Sequence, residues 1–183
     1  MKIVVGITGS SGAVYALDFL KKSTSDKFLI VSKWGKALLK DELKMEDTDL
    51  HPFVKKQFDD KDLTAPVASG SNFFDAYVIL PCSTSTIGKI ASGIGDTLIT
   101  RTAQVALKER FRLVLCVRET PLSTLTLEQL SKLSGYGAII MPISSPLYFV
   151  PDTIGEYVGA FTNKVLAAIG EKREPGWRAE EFE

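Results

Sequence analysis

The chain has few of the residues from which disulfide frameworks and metal sites are built. Its 183 residues include two cysteines and one histidine. Cys82 and Cys116 lie at or near the ends of apolar runs, a placement more typical of buried, reduced thiols than of disulfides or metal ligands. We therefore expect neither a disulfide framework nor a metal site.

Net charge and long apolar runs are missing as well. Lysine plus arginine number 22 and aspartate plus glutamate number 22, so the net charge is zero. Bulk electrostatics therefore give no support for nucleic-acid or membrane-surface binding. No apolar run approaches the roughly 20 residues that a membrane span needs, and the opening residues lack a signal-peptide pattern. The simplest interpretation is a cytoplasmic enzyme without nucleic-acid or membrane partners.

What the chain does contain is a strand that runs into a glycine- and serine-rich turn. Residues 3–7 are mostly β-branched, residues 8–12 read TGSSG, and residues 13–22 have a helical pattern. Backbone N–H groups and the positive end of a helix dipole lie together at such a turn. This arrangement favours binding of a phosphorylated ligand, in particular a nucleotide. The turn fits neither G-x-G-x-x-G nor a P-loop, and a turn that merely needs glycine is the alternative.

Short apolar runs alternate with helical patterns along the chain. The predicted strands are 3–7, 28–31, 76–80, 113–117 and 138–141, and the predicted helices are 13–22, 33–43, 97–110, 125–134 and 153–169. Apolar strands alternating with amphipathic helices predict an α/β fold whose parallel sheet is covered on both faces. Residues 44–65 are polar and predicted to be irregular, and the charged tail 171–183 has little core potential.

Ligands of open parallel sheets bind beyond the carboxyl ends of the strands. The segments that follow the predicted strands are rich in hydroxyl groups or charge, and comprise residues 8–12, 32–33, 81–86, 118–121 and 142–148. A sheet edge without a function would need fewer such groups. We therefore expect the functional site at this edge.

These segments resemble the flavin prenyltransferase family, also known as UbiX or Pad. The resemblance is carried by GITGSSGAVYA, ASGS, ILPCSTSTIGKIASGIGDTLITRTAQVALKER, RLVLCVRETPL and GAIIMP. It implies a three-layer Rossmann- or flavodoxin-like fold with a central parallel sheet, and assembly into a homododecamer. It also implies a metal-independent enzyme that joins the dimethylallyl group of dimethylallyl monophosphate to reduced FMN. The product, prenylated FMN, is the cofactor of a partner decarboxylase of the UbiD type.

The resemblance assigns a domain at residues 1–170, a tail at 171–183 that covers the active site, and a set of residues that contact FMN. These residues are Thr8, Gly9, Ser10, Ser11, Ser32, Ser83, Thr84, Ser85, Thr86 and Arg118. Ser32 matches a serine that binds the FMN phosphate, although a serine at this place could equally cap the following helix. The four hydroxyls of residues 83–86 could likewise be a capped helix start.

A second implied set of residues binds the substrate phosphate and the isoprenyl group. It consists of Ser69, Arg101, Lys108, Arg118, Tyr148, Lys164 and Trp177. Arg101 and Lys108 are seven residues apart on one predicted helix and therefore share a face, and a solvated basic face is the alternative. Lys164 stands where most family members have arginine, and it could instead be a surface lysine.

Three residues are implied to act in catalysis: Glu119, Ser11 and Glu42. Ring closure on the flavin leaves a tetrahedral carbon that must lose a proton, and the Glu119 carboxylate can accept it directly or through the departed phosphate. A structural ion pair is the alternative for Glu119, and an exposed helix end for Glu42. Two other functions stay open: a flavin-dependent cysteine decarboxylase, which would use a histidine although only His51 is present, and a non-catalytic FMN carrier.

Overall fold

The computed structural model describes residues 1–148 and 150–171. The strands are β1 (Lys2–Ile7), β2 (Asp26–Val31), β3 (Lys56–Asp59), β4 (Ala76–Cys82), β5 (Arg112–Val117) and β6 (Ile139–Pro142). The helices are α1 (Ala13–Lys22), α2 (Lys33–Leu43), α3 (Thr84–Ala91), α4 (Leu98–Glu109), α5 (Thr124–Gly135) and α6 (Ile154–Ile169). Two 3₁₀ turns, Asp47–Phe53 and Pro66–Ala68, flank β3.

The strands form one parallel sheet in the order β3-β2-β1-β4-β5-β6. The chain first builds outward from β1 to β3 and then crosses to β4 on the other side of β1. Parallel sheets leave a crevice at the point where the strand order reverses, outside the carboxyl ends of the strands. The topology therefore places a crevice between the ends of β1 and β4.

Helices cover both faces of the sheet and make three layers. Alternate side chains of a strand point to opposite faces, so Val4 packs with α3, α4 and α5, while Ile3 and Val5 pack with α1, α2 and α6. The predicted α/β class and the sheet covered on both faces are thus confirmed. Among the described residues, no helix has the length and apolar character that a membrane crossing requires.

The main difference from the predicted elements is β3. It lies inside the stretch 44–65 that was expected to be irregular, and it pairs in parallel with β2 at the edge of the sheet. The apolar pattern missed it because only Phe58 of its four residues is buried. The five other strands and the five predicted helices are present, with helix ends displaced by no more than one residue.

Both cysteines are buried and unpaired, as predicted. Burial raises the pKa of the Cys82 and Cys116 thiols, so neither is a reactive thiolate at neutral pH. Within residues 1–148 and 150–171, no group of three His, Cys, Asp or Glu side chains could hold a metal ion.

Candidate active site

A cleft of about 350 Å³ opens at the carboxyl ends of β1, β2 and β4. Its lining residues are Thr8, Gly9, Ser10, Ser32, Lys33, Trp34, Asp60, Ser83, Thr84, Ser85, Thr86, Lys89, Thr97, Ile99, Thr100 and Glu119. Eight of the ten residues expected to contact FMN are among them, together with the expected proton acceptor. The volume lies within the range of small-molecule pockets.

The hydroxyl groups of the glycine-rich turn fasten neighbouring strand ends to one another. The Thr8 hydroxyl donates to the carbonyl oxygen of Pro81 at 2.9 Å and accepts from the amide of Ser83 at 2.8 Å. The Ser10 hydroxyl donates to the carbonyl oxygen of Arg118 at 2.6 Å. The carboxyl ends of β1, β4 and β5 are therefore linked by side chains of a single turn.

The N-terminus of α1 already holds an anion that belongs to the protein. The Glu42 carboxylate, at the end of α2, accepts hydrogen bonds from the amide of Gly12 at 3.0 Å and from the amide of Ala13 at 2.8 Å. A carboxylate at this place satisfies helix N–H groups and complements the helix dipole. The sequence predicts a ligand phosphate at this turn. In the structure, the Glu42 carboxylate instead accepts the hydrogen bonds from the N-terminus of α1.

The N-termini of α2 and α3 face the cleft without such a carboxylate. The Ser32 hydroxyl accepts from the amide of Gly35 at 3.0 Å, and the Ser83 hydroxyl accepts from the amide of Thr86 at 3.3 Å. Both serines are therefore helix caps, which confirms the capping interpretation without excluding ligand contact. Each capping bond satisfies only one of the four N–H groups that open a helix, so donors remain at both helix starts.

Close packing holds the start of α2 against the turn. A Cβ atom added at Gly9 would lie 2.4 Å from the Cβ of Trp34, and one added at Gly35 would lie 2.5 Å from the carbonyl oxygen of Ile7. Glycine is therefore required at both positions. The cleft wall made by Ser32, Lys33 and Trp34 is fixed relative to β1.

Several cleft residues were not found from the sequence: Trp34, Asp60, Lys89, Thr97, Ile99 and Thr100. Asp60 directly follows β3, and its carboxylate accepts from the amide of Ile99 at 2.9 Å at the start of α4. Burial raises the pKa of Asp60, a rise that the hydrogen bond from Ile99 opposes but does not cancel. The signal that could have located Asp60 was strand β3, which the apolar pattern missed.

Glu119 follows β5, whereas Asp60 follows the edge strand β3. The Glu119 carboxylate is exposed and accepts a hydrogen bond from the amide of Thr120 at 3.0 Å. In the described parts of the chain, the salt bridges do not include Glu119, so the ion-pair alternative receives no support. Ser11 and Arg118 are also exposed and do not line the cleft.

Arg101 and Lys108 share a face of α4, as predicted, but neither lines the cleft. The Arg101 guanidinium donates to the carbonyl oxygen of Ala68 at 3.1 Å. The Lys108 ammonium is paired with Glu109, and a Cβ atom added at Gly70 would lie 2.5 Å from it. Both cations therefore border the 68–71 segment that contains Ser69.

The remaining predicted substrate-binding residues lie elsewhere. Lys164 is exposed on α6, which packs on the face of the sheet opposite α4, and Tyr148 is 57% exposed in the loop after β6. Trp177 is outside the described residues. A single chain therefore does not bring Lys164 together with Arg101 and Lys108.

The single histidine is remote from the cleft. His51 lies in the 3₁₀ turn Asp47–Phe53, and its Nε2 is 3.0 Å from the side-chain oxygen of Gln57. It is not among the lining residues. The cleft therefore has no candidate for the histidine of a cysteine decarboxylase.

The chain is similar to known proteins over nearly its whole length. The Flavoprotein family model matches residues 1–170. The chain is 42% identical over 171 residues to the flavin prenyltransferase UbiX of Thermoplasma acidophilum, which covers 93% of this chain and 95% of the relative. It is also similar to the solved structure of AnUbiX in complex with FMN and dimethylallyl pyrophosphate, with 34% identity, a TM-score of 0.91 and coverage of 97% and 98% of the two chains.

A third similarity is to the dodecameric FMN-dependent UbiX-like decarboxylase from Escherichia coli O157:H7, with 33% identity, a TM-score of 0.92 and coverage of 97% and 99% of the two chains. The fold, the hydroxyl-lined cleft and the family model together define an α/β flavoprotein. Within that class, the chain belongs to the flavin prenyltransferase family.

Proposed function

We infer that this chain is a flavin prenyltransferase that transfers the dimethylallyl group of dimethylallyl monophosphate to reduced FMN and forms prenylated FMN. The observation that carries this conclusion is the near full-length similarity to flavin prenyltransferases, at 42% identity in the Thermoplasma relative. The cysteine-decarboxylase alternative lacks a histidine at the cleft, and a carrier would have no use for a carboxylate such as Glu119 there.

The donor groups of the cleft fit FMN. Internal carboxylates occupy two of the helix N-termini, Glu42 at α1 and Asp60 at α4. The starts of α2 and α3, capped only by Ser32 and Ser83, are therefore the places at which a phosphate dianion meets the least repulsion. We assign the FMN phosphate to these two helix starts, and the ribityl hydroxyls to the hydroxyl-rich residues 83–86.

The reaction requires a nucleophilic ring, a leaving phosphate, a proton that adds to the prenyl double bond as the ring closes, and a proton acceptor. Reduced FMN supplies the nucleophilic ring. As the carbon–oxygen bond of the donor breaks, cationic side chains stabilise the departing phosphate. Glu119, exposed at the cleft, accepts the proton that ring closure releases from the flavin carbon, directly or through that phosphate.

The cations for the leaving phosphate come from more than one copy of the chain. Arg101 and Lys108 lie on α4, whereas Lys164 lies on α6 across the sheet. A phosphate that touches both groups must therefore sit between subunits. A dodecameric relative makes such an assembly available, and we propose a homododecamer in which neighbouring subunits complete each site, with Ser11, Arg118 and Tyr148 contributing.

The remaining assignments follow the family resemblance. We propose that residues 1–170 form the catalytic domain and that the tail 171–183 supplies Trp177 against the isoprenyl group. We also propose that the enzyme acts in the cytoplasm and that a UbiD-type decarboxylase receives the product.

Mass spectrometry of the extracted flavin tests this function directly. The protein is incubated anaerobically with reduced FMN and dimethylallyl monophosphate, without added metal. The expected product is heavier than FMN by one C5 unit. A parallel reaction with dimethylallyl pyrophosphate shows which donor is used. An unchanged flavin mass with saturable FMN binding would identify a carrier instead.

A further inference from the structure

Trp34 is a large apolar side chain that nothing in the proposed reaction uses. It lines the cleft and is 68% exposed. The ammonium group of Lys33 lies 5.4 Å from the centre of its ring. A single exposed aromatic side chain is ordinary on a protein surface, but this ring lines the cleft to which we assign FMN.

The position of Trp34 is fixed by its surroundings. It is the second residue of α2, whose start is capped by Ser32. The contact with Gly9 leaves no room for even one additional carbon atom beside the Trp34 Cβ. The backbone and Cβ of Trp34 are therefore fixed, and the ring can turn only about two side-chain torsions, so that its ordering on binding costs little entropy.

The cleft combines this aromatic surface with polar groups. Hydroxyls of residues 83–86 and the helix starts of α2 and α3 provide hydrogen-bond donors, while Lys33 adds a positive charge beside the indole ring. A ligand with a planar aromatic part and a phosphorylated polyol part complements both kinds of surface. Flavin mononucleotide has this composition, whereas a second protein chain would not need the hydroxyl-lined interior of the cleft.

We propose that Trp34 contacts the bound flavin directly and provides an apolar wall of its site. The proposal rests on the proposed function, because it requires FMN in this cleft. It adds a flavin-positioning residue that lies outside the serine, arginine and glutamate motifs.

The first test compares FMN affinities by quenching of flavin fluorescence. We expect Trp34→Ala to raise the dissociation constant of FMN roughly tenfold, because an aromatic contact is lost. Trp34→Phe, which keeps an aromatic ring, is expected to remain close to the unchanged protein. The matched control is Phe73→Ala, since Phe73 is 64% exposed but lies at the amino ends of the strands.

Equal affinity for Trp34→Ala and the unchanged protein would overturn the proposal while leaving the function intact. Failure of the unchanged protein to bind FMN would instead overturn both. If circular dichroism shows that Trp34→Ala does not fold, Trp34→Leu takes its place.

A second measurement does not depend on altering Trp34. In a Trp177→Phe background, Trp34 is the sole tryptophan, and acrylamide quenching reports its accessibility in the FMN-free oligomer. We expect efficient quenching, because the ring should stay open to the cleft until flavin binds. Protection without FMN would show that a neighbouring subunit covers Trp34, and this result would contradict the proposal.

Discussion

The flavin-binding and phosphate-binding parts of the proposed site are built in different ways. Most of the proposed flavin part lies within one chain, since eight of its ten expected residues line one cleft. The phosphate part is divided, with Arg101 and Lys108 on one face of the sheet and Lys164 on the other. In the proposed site, therefore, the topology of one chain supplies most of the cofactor contacts, whereas the substrate contacts depend on assembly.

Replacing Glu119 is expected to have the largest effect. It tests whether a residue of the flavin part takes part in the reaction as well as in binding. Glu119→Gln removes the proton acceptor but keeps the size of the side chain. We expect ring completion to slow by about a hundredfold or more, the usual contribution of positioned proton transfer, while FMN affinity is unchanged. Single-turnover mass spectrometry measures the rate, and a fluorescence titration measures the affinity. Unchanged turnover would remove Glu119 from the mechanism.

Lys164 tests the phosphate part separately from the flavin part. If its ammonium group contacts the substrate phosphate in the assembly, Lys164→Ala should weaken binding of dimethylallyl monophosphate by up to about a hundredfold. Lys164→Arg should restore or improve binding, because the guanidinium offers two parallel donors. FMN affinity should stay constant in both variants. Indistinguishable substrate affinities across the three proteins would show that Lys164 is only a surface residue.

Replacing Glu42 tests the contribution of its carboxylate at the start of α1. The expected effect is on stability and is smaller than the two effects above. Glu42→Ala leaves the amides of Gly12 and Ala13 without their carboxylate. We expect the free energy of unfolding to fall by about 1 kcal/mol, the typical worth of a helix cap. Urea denaturation measures the change, with Glu128→Ala on the exposed surface of α5 as the control. Equal stability of the two variants would show that the Glu42 contacts contribute little.

The sequence predicts the parts of the molecule that depend on local pattern. Buried strands such as β4 are apolar throughout, and the residues after a parallel strand must lie at one edge of the sheet. Ser83 and Glu119 could therefore be placed correctly without a structure. The edge strand β3 has only one buried residue, so its sequence shows no alternation of apolar and polar residues. Because the strand was not predicted, Asp60, which follows it, was not predicted as a site residue either.

Long-range contacts are the other part that local pattern does not reveal. Glu42 occupies the α1 N-terminus from 30 positions away, and nothing in the spacing of either segment specifies this contact. The TGSSG turn predicts a phosphorylated ligand, whereas in the structure the Glu42 carboxylate accepts the hydrogen bonds of Gly12 and Ala13 at the start of α1. In the same way, the spacing of Arg101 and Lys108 places them on one face of a helix, but it does not reveal which residues or ligands that face contacts.

The most direct test of the comparison is complementation between two variants. Glu119→Gln impairs the flavin part and Arg101→Ala impairs the phosphate part. If one site draws these residues from different subunits, co-expressed mixed oligomers must contain some sites in which both residues are intact. We predict that such oligomers form prenylated FMN at a rate well above that of the two variants assembled separately. A rate no greater than the average of the separate variants would show that Glu119 and Arg101 of one site come from the same chain, and would contradict this account.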